Sequence, residues 1–187
     1  MPSKSARDQV IDLLKEDHKH VKKEFRDFEK MDPEADEQAC EELVARVCAE
    51  LEVHTTIEEE LFYPAARAVL SGSEDESLLD EAQVEHNSAK MLISELQGMS
   101  AGDPMLKANF TVLGEYVKHH IKEEEDELFV KLGKSKADWD SLLHDMQQRQ
   151  MELKAEKGIA EEDMEDEAAM PAARKSTRSS TTHSKGR

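Results

Sequence analysis

The stretch Leu51-Glu52-Val53-His54-Thr55-Thr56-Ile57-Glu58-Glu59-Glu60-Leu61-Phe62-Tyr63-Pro64 sets a histidine and a glutamate, His54 and Glu58, where an amphipathic helix should carry apolar residues. The surrounding inner stripe reads Leu43, Val47, Leu51, His54, Glu58, Leu61, Phe62, at the three-and-four spacing of a core-facing helix. Three other stretches show the same pattern. They are Val10, Leu14, His18, Val21, Phe25, Phe28; then Leu79, Ala82, His86, Ala89, Ile93, Leu96; then Leu106, Phe110, Leu113, Val117, His120, Glu124, Leu128. Each stripe thus carries one histidine, and two of the histidines are followed by a glutamate one helical turn later.

Imidazoles and carboxylates buried at matching depth are costly unless something pairs with them. A pair of metal ions is the most economical partner. The residues also repeat by halves. His18 precedes His54 by 36 residues and His86 precedes His120 by 34, and Glu60-Leu61-Phe62 is echoed by Glu127-Leu128-Phe129. A repeated half that supplies half of a dinuclear site explains both. Helical bundles commonly build such carboxylate-bridged pairs from inward side chains on facing helices. Imidazole with carboxylate suits iron, manganese or zinc. No thiolate falls on a stripe, which disfavours iron–sulfur clusters and structural zinc. Four histidines and two glutamates leave open positions for water, O2, peroxide or NO. A lone histidine on such a stripe is more often an ordinary core residue than a ligand, but here that reading needs six separate coincidences at one depth.

The composition bounds what remains. A chain of 187 residues with seven Gly and five Pro fits one helical domain and a tail, with no alternating strand pattern. The formal charge of −18 argues against nucleic acid as a partner of the folded part. No uncharged stretch approaches the roughly 20 residues needed to span a membrane. The charged N-terminal residues Met1 to Lys15 lack an apolar signal region, so the cytoplasm is the expected location. Cys40 and Cys48, about 12 Å apart along one helix, are expected as free thiols.

Helices are expected over about Ser5–Lys30, from Pro33–Asp36 to a kink at Tyr63–Pro64 and on through Leu70, from a Ser73/Glu76 capping box to Gly98, and from Asp103–Pro104 to Gly133. A shorter segment bearing Trp139, Leu142, Leu143 and Met146 should pack against the bundle, which closes the domain at 1–153. Residues 154–187, acidic and then basic, are expected as a disordered tail whose partner is unknown.

The segments Glu16-Asp17-His18, His54 through Pro64, Glu85-His86 and His119-His120-Ile121-Lys122-Glu123-Glu124-Glu125 together resemble the hemerythrin-like, HHE cation-binding family over roughly residues 7–150. The resemblance implies an antiparallel up-down four-helix bundle holding an oxo- or hydroxo-bridged pair of iron ions, ahead of manganese or zinc. It implies His18, His54, His86 and His120 as terminal ligands, with Glu58 and a fourth-helix carboxylate as bridges.

Two departures matter. Oxygen carriers of the family have two histidines four apart on the third helix, where this chain has Ala82 and Lys90 beside His86. Simple reversible O2 carriage is therefore in doubt. Carriers also set the last carboxylate five residues after its histidine. That spacing and the Glu-Leu-Phe echo give Glu125, whereas the apolar stripe gives Glu124; a local π-type bulge would reconcile them. Both residues stand as candidates, with Glu124 slightly ahead. Function divides the same way: a di-iron protein that binds O2 or a related small ligand for sensing, storage or protection; an enzyme consuming peroxide or NO at that centre; or an iron-handling or regulatory module.

Overall fold

The structure, a computed structural model, describes residues 4–32, 35–133 and 135–159. It contains α1 (Ala6–Phe28), α2 (Glu37–Ile57), α3 (Tyr63–Val69), α4 (Ser73–Leu96), α5 (Leu106–Glu123), α6 (Phe129–Leu132) and α7 (Trp139–Lys157). Single π-helical turns, Glu58–Phe62 and Glu124–Leu128, join α2 to α3 and α5 to α6. The antiparallel bundle closes through α1 on α2, α2 on α4, α4 on α5 and α5 on α1, while α7 packs outside on α1, α2 and the first π turn.

Local chemistry sets most boundaries. The Ser5 hydroxyl accepts the Asp8 N–H to open α1, and the Asp138 carboxylate accepts the Ser141 N–H to open α7. Gly158, at φ 69°, closes α7 in the left-handed region, where glycine is favoured. That helix runs past the Lys154 boundary expected from composition; the remainder of the expected tail, from residue 160, lies outside the described residues.

Two expected starts differ. The Ser73/Glu76 capping box does not form, because Ser73 is itself the first helical residue after Gly72. Helix α5 begins at Leu106, and Asp103 instead accepts the Met105 N–H in the preceding turn. Both π turns begin at a stripe glutamate. Tyr63 N–H bonds Glu58 O and Phe129 N–H bonds Glu124 O. The extra residue in the turn advances the stripe. After Glu58, the buried positions are Phe62, Tyr63 and Ala66, while Leu61 is only half-buried.

The apolar core falls into two clusters. One is centred on Phe25, Phe28, Phe110 and Leu113, the other on Leu14, Ile57, Phe62, Leu79, Leu128 and Met146. The layer between them is polar.

Candidate metal centre

That layer consists of His18, His54, Glu58, His86, His120 and Glu124, all buried. Every one of them was expected on a stripe. Glu125, the rival fourth-helix carboxylate, stays at the margin with 28 % of its side chain exposed. His20 and His144 lie away from the layer, His119 is exposed, and His183 lies outside the described residues.

Each inner histidine turns its Nδ1 outward to a carboxylate. His18 meets Glu125 at 3.0 Å, His54 meets Asp17 at 3.2 Å, His86 meets Glu59 at 3.0 Å and His120 meets Glu85 at 2.9 Å. A carboxylate accepts only, so Nδ1 carries the proton and Nε2 keeps its lone pair. Those four lone pairs converge on two more carboxylates. His54 Nε2 is 3.2 Å from Glu58 Oε1, His86 Nε2 is 3.3 Å from Glu58 Oε2, and His18 Nε2 is 3.2 Å from Glu124 Oε2. His86 Nε2 and His120 Nε2 face each other at 3.1 Å.

The one hydroxyl among these atoms belongs to Tyr63. It donates to Glu124 Oε1 at 3.0 Å and lies 3.2 Å from His86 Nε2 and 3.4 Å from His120 Nε2. The Nε2 atoms of His18 and His54, both Glu58 oxygens and Glu124 Oε2 have no hydrogen-bond donor. Buried acceptors facing acceptors need positive charge.

The donors form two overlapping groups. His18, His54, Glu58 and Glu124 make one, and Glu58, His86 and His120 make the other; within each, the candidate ligand atoms lie within 4.8 Å of one another. The donor chemistry therefore fits a metal pair bridged by carboxylate.

Without a metal, protons take that role. Burial pushes His54 toward the neutral form, but the Glu58 and Asp17 carboxylates override it and hold its pKa well above the usual histidine value. Burial opposes ionisation of Glu58, yet the His54 and His86 imidazoles hold it well below the usual glutamate value. His120 is raised in the same way, against burial, by Glu124 and Glu85. Burial, then the Glu58 and Glu124 carboxylates, push the Tyr63 phenol well up, so it keeps its proton.

A cavity of about 50 Å3 opens onto all four histidines. Val21, Leu51, Val53, Ala89, Val117 and Ile121 give it largely apolar walls, and Lys154 and Ile159 reach it from the end of α7.

Several of these partners carry a faint signal in the sequence. Asp17 and Glu85 each directly precede a histidine, and Glu59 and Glu125 each directly follow an inner glutamate. Tyr63 falls outside the regular stripe and enters only through the π turn. Gln150, which donates to both Asp17 oxygens at 3.1 and 3.3 Å, has no sequence signal at all.

Four buried histidines and two buried glutamates in a helical bundle define a candidate non-thiolate metal protein. The hemerythrin HHE cation-binding domain family matches residues 9–132, and the chain belongs to that family. A solved hemerythrin HHE cation-binding domain-containing protein from Mycobacterium kansasii shares the fold with a TM-score of 0.63 and 22 % identity. The alignment covers 78 % of this chain and 86 % of that one. A protein of Nostoc sp. strain PCC 7120, named as a DNA nickase, is 26 % identical over 120 residues. That match covers 64 % of this chain but 32 % of the relative, so the chain spans about a third of that protein's length. Among the described residues, no helix is long and apolar enough to cross a membrane.

Proposed function

We propose that the protein is a non-haem di-iron protein whose centre takes O2, peroxide or NO, for sensing, storage or protection. The observation that carries this reading is that the Nε2 atoms of His18 and His54, both Glu58 oxygens and Glu124 Oε2 converge with no hydrogen-bond donor to meet them. In it, His18, His54, His86 and His120 would hold the iron pair as terminal donors, and Glu58 and Glu124 would be shared between the two positions. The cavity supports a small ligand, since about 50 Å3 beside the histidines has room for a molecule of a few heavy atoms. An iron pair, when bound, supplies the electrons for redox chemistry of such a ligand. The protein supplies fixed imidazole tautomers and apolar walls that keep bulk water away.

The folded part, in this reading, does not take nucleic acid as its partner, in line with the charge of −18. Nicking of DNA is a property in the name of one relative three times the matched length and is not carried over. Two buried free thiols, Cys40 and Cys48, suit the cytoplasm.

Elemental analysis of purified protein tests the reading. It should give about two irons per chain, with near-ultraviolet absorption from the bridged ferric pair after exposure to air. One zinc and no iron would overturn it.

Tyr63 favours a second reading, an enzyme that reduces peroxide or NO. Such reductions consume protons, and Tyr63 holds one 3.0 Å from Glu124 and beside two inner imidazoles. Iron-loaded Tyr63→Phe should retain its iron and lose at least about a hundredfold in peroxide turnover, the low end for a positioned acid. No turnover by either protein would remove the enzyme reading, and equal turnover by both would remove Tyr63 from it.

A further inference from the structure

The centre has an internal two-fold order that covers more than its inner donors. His18 corresponds to His86, His54 to His120, Glu58 to Glu124, Asp17 to Glu85 and Glu59 to Glu125. The order extends one step outward, because Lys22 reaches Glu125 at 3.2 Å and Lys90 reaches Glu59 at 2.6 Å. It fails in two places. Asp17 receives the Gln150 amide from α7, whereas its counterpart Glu85 lies 3.5 Å from the imidazole of His119, which is 63 % exposed and shared with Glu123. On the inner side, Tyr63 sets a hydroxyl 3.2 Å from His86 Nε2 and 3.4 Å from His120 Nε2, where its counterpart in the other half, Phe129, has none.

These asymmetries act in the same direction. An imidazole binds a metal best when the acceptor on its far nitrogen stays in place, and loss of such a partner commonly weakens metal binding by about 10- to 100-fold. Gln150 bonds both Asp17 oxygens and so holds the carboxylate that orients His54. Among the described residues Glu85 has no such clamp, since its outer neighbour is the solvent-facing imidazole of His119. The Tyr63 hydroxyl, set against the Nε2 atoms of His86 and His120, competes with a metal at that position.

We propose that the two metal positions are unequal. The position at His18, His54, Glu58 and Glu124 binds first and tightest because α7 clamps it through Gln150, and the position at His86 and His120 is the exchangeable one. Gln150 is a positioning residue that acts on the metal through Asp17 and His54. This rests on the dinuclear reading above.

Anaerobic calorimetric titration of the metal-free full-length chain with Fe(II) tests it. Two steps are expected, the first at least tenfold tighter. His54→Ala should remove the tight step, and His120→Ala the weak one. Gln150→Ala should weaken the first step about tenfold and spare the second, which a merely structural role of α7 would not do. Arg149→Ala, which breaks the ion pair from α7 to Glu60 of the first π turn, should leave both steps in place. A single affinity for two ions in the unaltered chain overturns the inequality while the dinuclear reading stands. So does a Gln150→Ala chain that weakens both steps equally. Uptake of fewer than two ions by the unaltered chain overturns the dinuclear reading itself, and the inequality with it.

Discussion

Glu124 and Glu125 show how narrowly a residue's role is drawn. They are adjacent, yet Glu124 is buried with an oxygen 3.2 Å from His18 Nε2, and Glu125 bonds the opposite nitrogen of the same ring at 3.0 Å. The α-helical spacing from His120 decides this, since four residues bring a side chain back to within about 40° of its start and five leave it about 140° away. Glu124→Gln should therefore lose most of the iron, because an amide cannot bridge two cations. Glu125→Gln keeps an acceptor for His18 and should hold iron with about 10- to 100-fold weaker affinity. Metal analysis after gel filtration separates the two. Retention by Glu124→Gln with loss by Glu125→Gln would reverse the assignment. His20→Ala and His144→Ala should both keep their iron. His20 bonds Glu50 away from the inner donors, at 3.2 Å, and His144 is exposed.

At the scale of elements, the two π turns do what no regular helix could. Each starts at an inner glutamate and adds a residue, so that Tyr63 and Phe129 enter the core directly below the polar layer. Pro64 follows the first turn and lacks an N–H, which makes a wider turn there less costly. The second turn has no proline, so proline is not the general cause; the feature shared by both is the buried glutamate at the start. Helix α5 meets α1 at Gly114, where an added Cβ would lie 2.9 Å from the Phe25 ring. That ring is itself held at 4.8 Å from Phe110, so it cannot move freely. Gly114→Ala should therefore destabilise the fold by about 1 kcal/mol or more, overpacking outweighing the better helix propensity of alanine. Denaturant unfolding of the iron-loaded protein measures this; a stabilised variant would show that the helices separate easily.

Across the whole molecule, the polar layer divides the core into two apolar clusters, so cohesion depends on what neutralises that layer. Metal binding should raise the melting temperature by linkage. A free metal concentration a thousandfold above the dissociation constant adds about 4 kcal/mol, or on the order of 10 °C for a domain of this size. The effect should depend on pH in a definite sense. The raised His54 contributes stability that is complete below its ordinary 6.5 and lost as pH rises through its elevated value. Glu58, held low, contributes stability present above its ordinary 4.5 and lost as pH falls through its depressed value. The metal-free chain should accordingly weaken toward alkaline pH. Metal takes the same lone pairs as those protons, so the melting gap between loaded and chelated protein should widen from about pH 5.5 to about pH 8. Thermal scans at both values test this, and a gap that narrows would contradict it.

The amino-acid sequence by itself determined the four stripes, the six inner residues and the two-fold echo, because a 3.6-residue period converts spacing along the chain directly into position around a helix. The stripe also ranked Glu124 above Glu125 for the same reason. Other features were decided only by the tertiary structure. The Glu-Leu-Phe echo aligned the halves one residue out of register, since the structure starts the two π turns at Glu58 and Glu124 and so pairs Tyr63, not Phe62, with Phe129. Tyr63 entered the site through its π turn, which no local pattern announces. Gln150 reaches Asp17 across 133 residues of chain, and His86 meets His120 across 34, contacts that exist only once the helices have packed.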